Sequence, residues 1–164
     1  MKKLFSLTFL FLAIICTAQD SDKSSIDAVL TNWHKAAAEA KFDNYFSLMS
    51  PDAIFIGTDA TENWTIEQFK AFAKPFFDKG RAWDFKAVER NIYVGKNGDL
   101  AWFDEMLSTW MKICRGSGVM RKENGQWKIV HYVLSMTVPN DNAIEVVKIK
   151  QKLEDQLLEQ MKKK

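Results

Sequence analysis

Three features of the sequence predict an α+β fold with helices on one face of a curved sheet. Apolar residues recur at helical spacing from Ile26 to Ala40 and again after Thr65. From Trp83 the period changes to that of strands. Leu100 to Thr137 then holds three apolar-rich runs with short breaks, the pattern of three long antiparallel strands. That stretch also carries three of the six Trp, one of the two His and the adjacent carboxylates Asp104 and Glu105, so one face of its strands is expected to close over a pocket.

Taken in order, Ser24 or Ser25 is expected to cap a helix reaching Ala40, with Ile26, Val29, Leu30, Trp33, Ala36, Ala37 and Ala40 on its apolar face. A short helix, Phe42 to Met49, ends before Pro51. Ala53 to Gly57 reads as a strand and Thr58 to Thr65 as a polar loop. Thr65 caps a third helix, Ile66 to about Phe77, which Pro75 disturbs and Gly80 stops. Lys96 to Asp99 and Glu123-Asn124-Gly125 mark turns, the second a strong hairpin signal. After Asn142 the chain is helical, with Val146, Ile149, Leu153 and Leu157 in a stripe. That helix is expected either to dock on the domain or to pair with another chain.

Residues 1–18 read as an export signal: Lys2 and Lys3, the apolar run Leu4 to Ile15, then Cys16-Thr17-Ala18 before a cleavage point at Gln19. The apolar run spans roughly 18 Å as a helix, short of the ~30 Å hydrocarbon core, so no membrane span is expected. Lipidation of Cys16 is the rival to soluble periplasmic or secreted export, although Ile15 is a poor residue to precede a lipidated cysteine. The chain then divides into a signal (1–18), a linker (19–25), one domain (26–140) and a C-terminal amphipathic helix (141–164). Losing Lys2 and Lys3 leaves 21 basic against 21 acidic residues, a balance that argues against a nucleic-acid partner. With Cys16 removed, Cys114 stands alone and reads as a buried thiol.

Candidate chemistry is sparse. Asp104 and Glu105 are neighbours on a strand and point to opposite faces, so at most one enters the pocket; it would serve there as an acid or base, or pair with Arg115 or Arg121. His131 and Ser135 are about 13 Å apart along a strand and do not form a nucleophile and base. His131 or Tyr132 with Asp104 or Glu105 is the remaining candidate couple, and His34 reads as a partly exposed helix residue. No metal site is expected, because the two histidines lie 97 positions apart and no HxH, HExxH or CxxC spacing occurs. No cofactor is expected either, since no Gly-rich phosphate loop is present, and no G-x-S-x-G nucleophile elbow occurs. The aromatics suggest a ligand pocket, apolar with few polar groups: Trp33, Tyr45, Phe55, Trp64 and Trp102, with Asp59, Glu62 or Arg115 at its mouth.

The segments WHKAAAEAKFDNYF (33–46), FIGTDATENW (55–64), AWFDE (101–105), RGSGV (115–119) and WKIVHY (127–132) resemble the SnoaL-like branch of the nuclear transport factor 2-like superfamily. The resemblance implies a cone, in which a strongly curved antiparallel or mixed sheet wraps around N-terminal helices, with a pocket at the open end and a homodimer through the sheet. The superfamily includes isomerases, cyclases, dehydratases and association modules, so activity does not follow from it. An ungapped comparison with the isomerases puts Gly57 at the base position and Gly118 at the acid position, and neither can move a proton. Three functions are therefore carried forward: a binding domain for a small apolar or amphipathic molecule, a cyclase- or dehydratase-type enzyme, and an interaction module without ligand. Protein recovered from its own host should give an N-terminal sequence starting at Gln19; a blocked, lipid-modified terminus at Cys16 would instead mark a lipoprotein.

Overall fold

The computed structural model describes the backbone of residues 2–163 and the side chains of residues 20–163. The export signal expected over residues 1–18 therefore lies outside the described side chains. Four helices, α1 (Lys2–Ala38), α2 (Phe42–Ser47), α3 (Ile66–Asp78) and α4 (Ala143–Met161), accompany six strands. The strands are β1 (Met49–Ile56), β2 (Asn63–Thr65), β3 (Lys86–Val94), β4 (Leu100–Thr109), β5 (Lys112–Glu123) and β6 (Gln126–Met136). They form one sheet in the order β2-β1-β6-β5-β4-β3. All neighbours are antiparallel except β1 and β6, which run parallel, so the sheet is mixed.

The local sequence explains most boundaries. Thr65 and Gln68 form a reciprocal capping box at the start of α3, and Gly80, at φ +68°, ends the turn that follows. Asn124 and Gly125 both take positive φ, 51° and 81°, as the tight β5–β6 hairpin requires. Two expectations are corrected. Ser24 and Ser25 do not start a helix, because the residues before them already belong to α1. Each serine hydroxyl donates to the carbonyl four residues earlier, Asp20 and Ser21, which lets it sit inside a continuous α1. The loop expected before Thr65 also contributes β2, whose backbone pairs Asn63 to Thr65 with Ile54 to Ile56.

Strand alternation divides the sheet into two faces. The inner face carries Phe55, Ala101, Phe103, Glu105, Leu107, Cys114, Met120, Ile129, Tyr132 and Leu134, all buried. It is covered by α1, which packs on β3 and β6, and by α3, which packs on β1 and β2. Among the described residues α4 packs on no large element, and none of its residues is buried. Gly118 lies on β5 between Phe103 and Tyr132. A Cβ there would collide with the His131 carbonyl and stand 2.9 Å from the Phe103 ring. Gly118→Ala should therefore destabilise the protein by about 1–3 kcal/mol, read as a lower midpoint in urea denaturation.

Candidate functional site

Glu105 is the centre of the inner face. Asp104 and Glu105 point to opposite sides of β4 as strand geometry demands, and the Glu105 side chain is fully buried at 0% exposure. Its Oε1 accepts from His34 Nε2 at 2.7 Å and from the Tyr132 hydroxyl at 3.0 Å. Its Oε2 accepts from Arg90 Nε at 2.9 Å, with Nη2 in ionic contact at 2.8 Å. Arg90 in turn donates from Nη1 to Asp27 Oδ1 at 2.7 Å and to Thr31 Oγ1 at 3.1 Å. One carboxylate thus joins α1, β3, β4 and β6.

Sequence spacing explains how these groups meet. Asp27, Thr31 and His34 recur every three or four residues on α1, so they share one side of the helix. Arg90 is directly opposite Glu105 on β3. Tyr132 lies one strand further away, beyond β5, and reaches Glu105 only because Gly116 intervenes: a Cβ at Gly116 would collide with the Tyr132 hydroxyl and stand 3.0 Å from Glu105 Cγ. The carboxylate finds its arginine on β3, not at Arg115 or Arg121 on β5. Arg121 instead holds Asp52 and Glu123 near the β1 end of the sheet.

The electrostatics follow from this enclosure. Burial pulls the Glu105 pKa upward, but the hydrogen bonds and charges of His34 and Arg90 outweigh it and leave the pKa below its ordinary value of 4.5. Burial and the neighbouring Glu105 charge push the Tyr132 hydroxyl well above its usual value, so it stays a donor. An ionised carboxylate with both oxygens saturated is a poor base. It acts as a pin.

The candidate residues separate accordingly. Glu105 and Tyr132 meet inside. His131 sits on the outer face with Asp104, opposite Val119, so it makes no couple with Glu105; adjacent strand positions cannot both face inward. Asp104 accepts from Asn91 at 3.1 Å. His34 is a correction: expected at the surface, it is 6% exposed, because its ring lies under Trp33 and Tyr132 and bonds Glu105. Arg90 and Asp27 were not singled out by the sequence; the usable signal was Arg90 at an inward position of an alternating strand, facing a carboxylate across a hairpin.

The aromatic candidates also divide. Trp33, Tyr45 and Phe55 are buried and stack on one another or on their neighbours: Trp33 on Tyr45 at 4.8 Å, Trp33 edge-on to Tyr132 at 4.7 Å, and Phe55 on Phe69 at 3.9 Å. Trp64 stacks on Phe72 at 4.5 Å beside the short β2 edge. Trp102 and Arg115 lie outside the cone, Trp102 being 50% exposed and stacked on Tyr93. Asp59 and Glu62 organise their own loop through Thr61 and the Asp59 N–H. Within the aromatic interior, the Trp33 indole N–H and the Tyr45 hydroxyl have no hydrogen-bond partner. Burial pushes the Tyr45 pKa well above its ordinary value, with the neighbouring Trp83 side chain the lesser, opposing influence. An open hollow of about 600 Å³ between α1 and β3 is lined by Lys23, Asp27, Arg90 and Tyr93, with the Arg90 side chain standing between it and Glu105. Among the described residues no three His, Cys, Asp or Glu side chains gather as a metal site needs, and no helix is long and apolar enough to cross a membrane.

The profile of the SnoaL-like domain matches residues 26–139. The chain belongs to the SnoaL-like family. Solved structures agree on the fold. A nuclear transport factor 2-like protein of unknown function from Pseudomonas putida shares 14% identity, covering 75% of this chain and 92% of its own at a TM-score of 0.63. A candidate scytalone dehydratase from Novosphingobium aromaticivorans shares 11%, covering 75% and 89% at 0.65. A candidate calcium/calmodulin-dependent protein kinase II association domain from Xanthomonas campestris shares 20%, covering 68% and 85% at 0.53. No functionally curated protein matches the chain in sequence. This SnoaL-like domain therefore has the cone fold that the motifs implied, with an aromatic interior.

Removing the pin should be costly. Glu105→Ala leaves the buried Arg90 with only the half-exposed Asp27 as counter-charge and strips His34 and Tyr132 of their acceptor, and should lose about 3–5 kcal/mol in urea denaturation. Because folding lowers the Glu105 pKa, its contribution is complete above pH 4.5 and is lost as pH falls through the folded value. The wild-type melting temperature should accordingly fall more steeply than that of Glu105→Gln on acidification below pH 4.5.

Proposed function

We propose that this SnoaL-like domain is a non-catalytic association module whose outer sheet face pairs with the same face of a second copy. The observation that carries the reading is a row crossing five strands: Tyr93 on β3, Trp102 on β4, Val119 on β5, His131 on β6 and Ile54 on β1, each beside the next in register. Met106, Val133 and Ile56 extend it along their strands, and no helix packs on this side among the described residues. Two of its aromatics, Tyr93 and Trp102, remain 45% and 50% exposed. Five strands about 4.8 Å apart and about 33 Å long present a face of about 600 Å², close to one partner's share of a standard interface. An apolar row across the middle of such a face, bordered by polar and charged residues, marks an interaction site, and a self-complementary face is the usual basis of a two-fold dimer.

Proton chemistry is less well supported, because the inward carboxylate is ionised, saturated and screened from the α1–β3 hollow by Arg90. The Xanthomonas campestris neighbour, described as an association domain, is consistent with the proposal. A second reading keeps a small ligand inside the cone. It is favoured by the buried, unpartnered Trp33 N–H and Tyr45 hydroxyl, since such groups cost about 1–3 kcal/mol each without an acceptor. Native mass spectrometry of protein purified from its own source would show such a ligand as added mass that Trp33→Phe loses. Both readings place the protein outside the cytoplasm, on the strength of the signal-like residues 1–18.

For the association reading, light scattering on the eluting protein should give a dimer for the wild-type chain and a monomer for Trp102→Asp, with both retaining the same melting temperature within a few degrees. A wild-type monomer at high micromolar concentration would overturn it.

A further inference from the structure

His131 occupies an unusual place in that outer row. Its direct neighbours are Val119 on β5 and Ile54 on β1, and Val133 follows on its own strand. Its side chain makes no hydrogen bond or ion pair with the described residues. The chain has one other histidine, His34, and that ring faces the opposite way, into the core. A histidine set among aliphatics with no carboxylate partner is tolerated when neutral and penalised when charged, more so once a second surface covers it.

The charged groups on the same face are already engaged or lie further along the strands. Arg121 on β5 is held by Asp52 and Glu123, and Lys128 on β6 donates to the Ser47 carbonyl. Arg115 on β5 reaches the Met106 sulfur. Glu89 on β3 and Asp104 on β4 both accept from the Asn91 amide and are in no ion pair among the described residues, and Asp104, opposite Ser117, is the one nearer His131. It lies two strands from His131 and two residues further along, too far to neutralise it within one copy.

We propose that His131 makes self-association through the outer face pH-dependent, holding the copies together when neutral and releasing them when protonated. The inference rests on the association reading and adds its regulation. Histidine is the side chain whose ordinary charge change falls between pH 5 and 8, so the response lies within the range an exported protein meets. In a two-fold dimer each copy contributes one His131, and both must be desolvated together.

The test is sedimentation velocity on the full chain at pH ~8 and pH ~5.5, for wild type, His131→Leu and Asp104→Asn, with melting curves at both values. The wild-type dimer should weaken by at least about tenfold at the lower pH, the effect of one pKa unit at one site. His131→Leu should dimerise at both values without that response, and Asp104→Asn should keep it. An unchanged wild-type dissociation constant, or a response that survives in His131→Leu, overturns the proposal while leaving association intact. A dimer that tightens on acidification and loses that behaviour in Asp104→Asn also overturns it, because it pairs His131 with the second copy's Asp104. No dimer at either pH overturns the association reading and this one together. Melting curves that stay cooperative at both values separate all of these results from acid unfolding around His34 and Glu105.

Discussion

One buried carboxylate governs how this molecule is assembled. The Glu105 carboxylate lies with no exposure between the sheet and the helices, where an unpaired charge would be prohibitively costly. It is matched by an imidazole from α1, a guanidinium from β3 and a phenol from β6. Each donor arrives from a different element, so the match also fixes how α1 sits on the sheet. Gly116 is the condition for the third bond, because any side chain there would occupy the line between Tyr132 and Glu105. Asp27 completes the arrangement by holding the far side of Arg90.

The same strand separates two faces. Inward positions of β4 contribute to the aromatic and ionic interior, while Trp102 and Met106 at outward positions contribute to the apolar row. An interior built this way restrains chemistry, since its one carboxylate is committed to holding elements together. The exterior is different. Its aromatic and aliphatic side chains remain partly exposed with no part of the described chain upon them, and its single histidine has nothing to neutralise it. The SnoaL-like fold hosts many activities, so the balance between these two faces matters more here than the fold itself.

Much of the fold was legible. The change of period at Trp83, the capping Thr65 and the Asn124-Gly125 turn each act through neighbours in sequence, and each element stands close to its expected place. The serines at 24 and 25 misled because a hydroxyl can cap a helix or bond back inside one, and only the preceding residues' conformation decides which. The candidate site was only half legible. Alternation separated Asp104 from Glu105, and Tyr132 was named beside a carboxylate, but Arg90, Asp27 and the inward turn of His34 were not seen. Their partners lie 15, 63 and 71 residues away, and nothing local marks a side chain for so distant a contact.

By itself, then, the sequence determined what short-range physics controls: helix caps, turns, strand alternation, the absence of a metal-ligand spacing, and motifs specific enough for the SnoaL-like cone. Tertiary structure decided which of two adjacent carboxylates became a buried pin and which histidine it took. It also decided which tryptophans filled the cone and which were left outside. Those outcomes depend on strand register and on the angle at which α1 crosses the sheet, and both are set by contacts summed over the whole core.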